Sequence, residues 1–122
     1  MSRASERHSF HLTYAIYGSR LFQTAIVLVD WSAGASPEGD TSDARYRQAA
    51  NNALVVGRVT GAFVHRLVST HNISHESVNF IGHSLGSTVL GIATAMLNDE
   101  FGIQIGTAWG EPSIPSSRRS DE

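Results

Sequence analysis

Short apolar segments alternate with helix-forming stretches along this 122-residue chain, and the alternation limits the folds open to it. Residues 25–31 (AIVLVDW) form a continuous β-branched run, typical of a strand buried on both faces in a parallel sheet. Shorter runs at 78–81 and 103–108 predict two more strands, and 11–17 is a candidate for another. The order strand, helix, strand, helix, strand predicts an α/β fold in which crossover helices pack on a parallel sheet.

The longest helix-forming stretch covers residues 44–69. It follows a polar segment, 32–43, that reads as a loop and ends in Asp43, a candidate helix N-cap. Helical spacing predicts one buried face, made of Tyr46, Ala50, Ala53, Leu54, Gly57, Gly61, Val64 and Val68. Polar Arg45, Gln48, Asn52, Arg58 and Arg66 fall mainly off that stripe. The two glycines, four residues apart, indicate close approach of this helix to a sheet.

Composition excludes several function classes. The chain has no cysteine, which rules out thiol catalysis and cysteine-ligated zinc. All nine basic residues are arginine, so a Walker A loop and lysine chemistry are excluded as well. A net charge of −2 without a basic face argues against nucleic acid as a partner. The longest uncharged apolar run, 21–29, is about half the length of a transmembrane span, and no signal peptide is predicted.

The pentad Gly82-His83-Ser84-Leu85-Gly86 has the form G-x-S-x-G and lies between a predicted strand and a predicted helix. That context is typical of a nucleophile elbow, in which a sharp turn exposes the serine hydroxyl. Ser84 is then the candidate nucleophile, and the backbone N–H of Leu85 the candidate oxyanion donor. The flanking glycines would let neighbouring backbone come close. A tight glycine turn with a serine N-cap is the structural alternative.

A general base for Ser84 is not evident. All six histidines precede or adjoin it: His8, His11, His65, His71, His75 and His83. The side chain of His83 should diverge from its neighbour at a turn, and His65 reads as a half-exposed structural residue. His71 and His75 flank a polar turn and read as solvated loop residues rather than metal ligands, since no third ligand accompanies them.

The catalytic acid is equally open. Glu111 is the only carboxylate close to the position after the strand that follows the elbow helix. Asp99 and Glu100 come earlier and read as solvated residues at a helix end. Asp30 reads as a buried hydrogen-bonding group rather than a catalyst.

Residues 72–74 (Asn-Ile-Ser) form an N-glycosylation sequon in a predicted surface turn. The sequon is compatible with secretion and does not establish it.

Three motifs in order resemble the pancreatic-lipase-like family of neutral lipases and phospholipases A1. Residues 29–32 (VDWS), with Gly34 and Ala35, resemble its V-D-W-S-x-G-A segment, and 81–86 (IGHSLG) match its elbow. Between them, five residues keep the spacing of the family's helix motif: Tyr46, Ala49, Asn52, Val56 and Gly57. The resemblance implies an α/β-hydrolase fold, an extracellular enzyme that cleaves acylglycerol or phospholipid esters, Ser84 as nucleophile and Leu85 N–H in the oxyanion hole.

The family's catalytic Asp lies in a G-L-D-P-A segment, whereas residues 106–111 here contain no Asp, and its histidine lies further on. We therefore expect an internal fragment, a partial α/β-hydrolase domain over 1–109 that is incomplete at both ends. Its family-like core covers about 25–91, and a disordered tail follows at 110–122. The resemblance implies a lipid ester substrate, lipid-surface contact in the full-length protein, and no cofactor or metal. An inactive lipase-like binding protein and a non-functional fragment are the alternatives.

Overall fold

A computed structural model gives the fold of residues 13–19 and 24–111. The chain divides into two compact units, Met1–Ala49 and Ala50–Glu122, and the division falls inside a long helix. The described strands form two separate two-stranded sheets.

Two antiparallel strands begin the first unit. Strand β1 (Thr13–Ser19) pairs with β2 (Thr24–Asp30) in continuous register from Thr13↔Asp30 to Ser19↔Thr24. Both predicted strands are thus present, each displaced by one or two residues. The expectation that residues 25–31 form a strand of a parallel sheet is wrong, because β2 pairs antiparallel with β1. Four residues separate β1 from β2, and a parallel connection needs a dozen or more.

Burial of β2 also differs from the expectation. Ile26 and Leu28 are 63% and 55% exposed, whereas Val27 and Val29 are partly covered. This alternation is typical of a strand with one solvated face rather than a strand buried on both. The continuous β-branched run therefore predicted the strand correctly, but its predicted burial on both faces is wrong.

A short helix interrupts the predicted loop after β2. Helix α1 spans Ser32–Ala35. Asp30 stands before it, where its Oδ1 accepts the backbone N–H of Ser32 at 3.0 Å. Asp30 is exposed, so its predicted hydrogen bonding is found but its predicted burial is not.

Helix α2 spans Ser42–Thr70, which confirms the predicted long helix. The predicted cap is wrong. Thr41 Oγ1 accepts the N–H of Ala44 at 3.0 Å, while Asp43 forms an exposed ion pair of 2.8 Å with Arg47 one turn on. Threonine immediately before the helix satisfies a free first-turn amide, and the acidic residue inside the first turn complements the helix dipole.

The buried face of α2 is rotated from the prediction. Small and polar residues dominate it: Ala49, Asn52, Ala53, Val56, Gly57, Thr60, Gly61 and Val64. Tyr46 and Leu54, both predicted inside, are 58% and 50% exposed. Asn52, predicted outside, is 8% exposed.

The second unit contains a β-α-β segment with parallel strands. A 3₁₀ turn at His75–Ser77 leads into β3 (Asn79–His83), followed by α3 (Leu85–Phe101) and β4 (Thr107–Glu111). β3 and β4 pair in parallel from Asn79↔Thr107 to His83↔Glu111. This segment is the part of the predicted α/β fold that the structure shows.

The last predicted strand lies four residues too early. Gly102 ends α3 in a left-handed conformation, and the N–H of Ile103 donates to Leu97 O at 2.9 Å. The apolar residues after Gly102 therefore fold back on the end of α3 before β4 begins. β4 includes Gly110 and Glu111, which were expected in the tail, and residues 112–122 lie outside the described part.

Helices α2 and α3 pack closely in the second unit. A Cβ on Gly57 would lie 2.7 Å from Ile92 Cβ, and one on Gly61 would lie 3.0 Å from Met96 Sδ. The two glycines thus do allow a close approach, but to a helix rather than to a sheet. Val89, Ala93 and Leu97 of α3 are buried, and Leu97 and Val56 are the largest fully buried side chains in the described ranges.

Candidate functional site

Ser84 occupies a sharp turn between β3 and α3. Its backbone angles are φ 56° and ψ −122°. A residue with a Cβ rarely adopts such a positive φ, and the strain amounts to about 1–3 kcal/mol. Ser84 stands at the N-cap position of α3, yet its side chain makes no capping hydrogen bond. The half-buried hydroxyl is thus not consumed by capping, as the structural alternative would require.

Hydrogen bonds hold this turn on both sides. The N–H of Ser84 donates to Glu111 O at 2.7 Å, and this bond continues the pairing of β3 with β4. The carbonyl of Ser84 accepts two bonds from Ser87, one from N–H at 3.0 Å and one from Oγ at 2.5 Å. Strand β4 and the first turn of α3 together fix a conformation that Ser84 would not adopt alone.

Two glycines that are register partners make room beneath the start of α3. A Cβ on Gly82 would lie 2.4 Å from Gly86 O and 2.5 Å from Leu90 Cδ2. A Cβ on Gly110, the partner of Gly82 in β4, would lie 2.8 Å from Ser87 Cβ. Gly86 itself has open space where a Cβ would stand. The expectation that the glycines on both sides of Ser84 allow close approach is thus confirmed for Gly82 and wrong for Gly86.

The predicted oxyanion donor stands next to Ser84. Leu85 is the first residue of α3, so its N–H has no acceptor inside the helix. First-turn amides and the positive end of the helix dipole favour a developing negative charge at this position. The geometry is compatible with an oxyanion hole contributed by the Leu85 amide.

The described histidines lie at other places. His65 is half-buried on α2, and its ring stacks on Phe101 with centroids 3.7 Å apart. His75 Nδ1 lies 2.5 Å from Gln104 O, and His71 is exposed at the end of α2. His83 is exposed in β3. Within residues 24–111, no hydrogen bond joins the Ser84 hydroxyl to a histidine or a carboxylate.

The candidate acids are also separated by the fold. Glu111 is the last residue of β4 and the register partner of His83, which places it at the same sheet edge as Ser84. Glu100 forms an exposed ion pair of 3.2 Å with Arg58, and Asp99 is exposed near the end of α3. Of these carboxylates, only Glu111 therefore stands at the edge where the elbow lies.

Asp30 has a structural role in the first unit. Hydrogen bonds from the backbone N–H and the hydroxyl of Ser32 lower the pKa of its carboxyl below the ordinary value. A lowered pKa means that the ionised carboxylate stabilises this turn at pH values above its unfolded pKa. The stabilisation is lost as the pH falls through the folded pKa. These hydrogen bonds thus favour the ionised form of the Asp30 carboxylate at the start of α1.

The described residues contain few other candidate sites. They contain no group of three or more histidine and acidic residues able to hold a metal ion. None of their helices is long and apolar enough to span a bilayer. An open groove of about 630 Å³ runs between α3 and residues 103–108, and its lining does not include Ser84.

Sequence reasoning missed Ser87 and Gly110. A serine three residues after the elbow serine can bond back to its carbonyl, and this local pattern was a usable signal for Ser87. Gly110 carried no signal of its own, because only the register of β4 shows that it faces the first turn of α3.

A serine strained in this way between a parallel strand and a helix has the backbone geometry that α/β-hydrolases use for their nucleophile elbow. The chain belongs to the lipase family, because the family model described as "Lipase" matches residues 10–109. The family resemblance inferred from the three motifs is thereby confirmed.

Curated relatives agree with this assignment. The chain is 40% identical to pancreatic triacylglycerol lipase of Myocastor coypus over 86 residues, which are 70% of this chain and 17% of that protein. It is 28% identical to phospholipase A1 of Vespula maculifrons over 126 residues, covering 98% of this chain and 41% of the relative. Inactive pancreatic lipase-related protein 1 of Mus musculus is 42% identical over 67 residues, 55% of this chain and 13% of its own length. The chain thus spans less than half the length of these relatives.

Proposed function

We propose that the chain carries the nucleophile of a lipase-like carboxylic-ester hydrolase that acts on acylglycerols or phospholipids. The observation that carries this proposal is the strained backbone of Ser84 at the start of α3, together with a hydroxyl that makes no capping hydrogen bond. Family membership supports the ester-cleaving chemistry, since relatives include a triacylglycerol lipase and a phospholipase A1. Lipid esters are accordingly the proposed substrates, and contact with a lipid surface is part of the same proposal.

The proposed reaction has two halves. Ser84 Oγ attacks the ester carbonyl carbon while its proton passes to a general base, and the carbonyl electron pair moves onto oxygen. The Leu85 N–H donates to that oxyanion. When the carbonyl re-forms, the C–O bond to the alcohol breaks and the alcohol leaves with the proton. Water then hydrolyses the acyl-serine by the same route.

Labelling with a fluorophosphonate tests this role of Ser84, because the probe phosphonylates activated serine hydroxyls. We expect one adduct, by intact mass, on the folded 122-residue chain and on Ser36→Ala, which removes an exposed serine hydroxyl at a different position. Ser84→Ala should carry none. A folded parent protein without an adduct would contradict hydrolase activity of this chain.

A catalytically inactive lipase-like binding protein is the second candidate. The Ser84 hydroxyl lacks a histidine or carboxylate partner among residues 24–111, and one relative is named as inactive. Flotation of the unlabelled chain with phosphatidylcholine vesicles containing triacylglycerol separates the two candidates. Vesicle binding without any fluorophosphonate adduct supports the binding protein, whereas an adduct that depends on Ser84 rules it out.

We also propose an extracellular location, by resemblance to the pancreatic lipases. Detection of the natural protein in culture medium, rather than in cell lysate, tests this location. Its retention inside intact cells would contradict it.

A further inference from the structure

The turn after α2 contains a motif that ester hydrolysis does not use. Asn72, Ile73 and Ser74 form the sequence N-x-S, and Asn72 is the only asparagine in the chain with Ser or Thr two positions later. All three residues are exposed. The motif therefore lies on an accessible turn and not inside a helix or strand.

Asn72 also ends α2. Its φ is 54°, and the N–H of the following Ile73 reaches back to Leu67 O at 3.4 Å. Gly102 ends α3 in the same left-handed region, with φ 64°. Asparagine tolerates this conformation better than most residues, so its backbone explains its place at this helix end. Among the described residues, the Asn72 side chain makes no hydrogen bond at this helix end.

The polar side-chain groups of the motif are available for reaction. In the described ranges, no hydrogen bond involves the Asn72 amide group or the Ser74 hydroxyl. Ser74 uses only its backbone carbonyl, which accepts bonds from the N–H and the Oγ of Ser77. A reaction at the Asn72 amide nitrogen would therefore break no hydrogen bond seen in this turn.

The position of the turn separates it from the elbow. The turn precedes β3, whereas Ser84 follows it, so the two lie toward opposite edges of the β3–β4 sheet. Five residues of strand span about 16 Å. A bulky group on Asn72 would leave the edge around Ser84 open to substrate.

From this placement we propose that Asn72 is an acceptor for an N-linked glycan. The co-reactant is an oligosaccharide joined through a pyrophosphate to a membrane lipid. The Asn72 amide nitrogen attacks the first sugar carbon, so that an N–C bond forms and the sugar–phosphate C–O bond breaks. The lipid pyrophosphate leaves with the electron pair of that bond, and the amide releases one proton. The proposal rests on the extracellular location proposed above.

The test uses the full chain, expressed behind a cleavable secretion leader in a eukaryotic host. We expect a mass increase on the secreted protein that peptide-N-glycosidase removes, leaving aspartate at position 72. Asn72→Gly should lose the increase while keeping the left-handed helix end, so folding is not in question. Ser74→Ala should lose it with Asn72 still present, and Ser74→Thr should retain it.

Secreted parent protein without a glycan would overturn the proposal, as would a glycan that persists in Asn72→Gly. Fluorophosphonate labelling of the same samples reads Ser84 separately. A missing glycan therefore leaves the hydrolase proposal untouched, and a missing adduct leaves the glycan result interpretable.

Discussion

Gly82 and Gly86 flank the same serine but meet different surroundings. A methyl group on Gly82 would collide with the Gly86 carbonyl, which is backbone and cannot rotate away. We expect Gly82→Ala to destabilise the chain by about 1–3 kcal/mol, as overpacking does. Gly86→Ala should be neutral or stabilising by up to about 1 kcal/mol, because alanine favours a helix. Urea unfolding of both variants measures the difference, and equal losses would contradict it.

Ser87 supports the strained turn through its hydroxyl group. Its hydroxyl bonds to the Ser84 carbonyl, so Ser87→Ala should lower the rate of fluorophosphonate labelling at Ser84 and reduce stability by about 0.5–1.5 kcal/mol. Thr94→Ala is the matched control, since Thr94 Oγ1 makes a similar bond to Leu90 O in the same helix. This variant should lose similar stability without slower labelling. Equal labelling rates in the two variants would show that Ser87 is structural only.

At the level of elements, the α2–α3 packing explains why the sequence predicted the helix but not its buried face. A hydrophobicity stripe favours large side chains such as Tyr46 and Leu54. Close approach of two helices instead selects small residues, and both large side chains are exposed here. Asn52 and Thr60 are buried on α2 although both are polar. Residue size at a contact depends on the partner helix, which periodicity does not contain.

The two glycines of α2 differ in what they contact. Gly57 lies under Ile92 Cβ and Val89 O, whereas Gly61 lies under the end of the flexible Met96 side chain. We expect Gly57→Ala to lower the free energy of unfolding by about 1–3 kcal/mol and Gly61→Ala by distinctly less. Thermal or urea unfolding gives the ranking. A larger loss for Gly61→Ala would contradict this packing.

The elbow was predictable as a motif, because its letters, the preceding strand and the following helix are all local. The contacts that hold the elbow in place were not predictable from the sequence. The Glu111 carbonyl and the space at Gly110 come from β4, a strand whose start the apolar pattern placed four residues too early. Long-range register carries this information, and a local motif does not contain it.

At the scale of the whole molecule, the two units should differ in protection against hydrogen exchange. The core of the second unit contains fully buried Ala93 and Leu97, whereas the strand β2 of the first unit exposes Ile26 and Leu28. Amides at the centre of α3 should exchange most slowly, and the paired amides of β2 faster but still measurably protected. Exchange read by NMR or mass spectrometry checks this order. Unprotected amides in both segments would support the non-functional fragment instead.

The bond between the Ser84 amide and the Glu111 carbonyl also sets an order of events during synthesis. The ribosome makes Ser84 before Glu111, so the serine leaves the exit tunnel while its partner is still inside it. Until β4 emerges and pairs, nothing on that side of the turn offsets the strain, and a nascent Ser84 can relax to an ordinary backbone conformation. A chain that ends before residue 111 would thus contain the complete motif but lack the bond that holds Ser84 in its strained conformation.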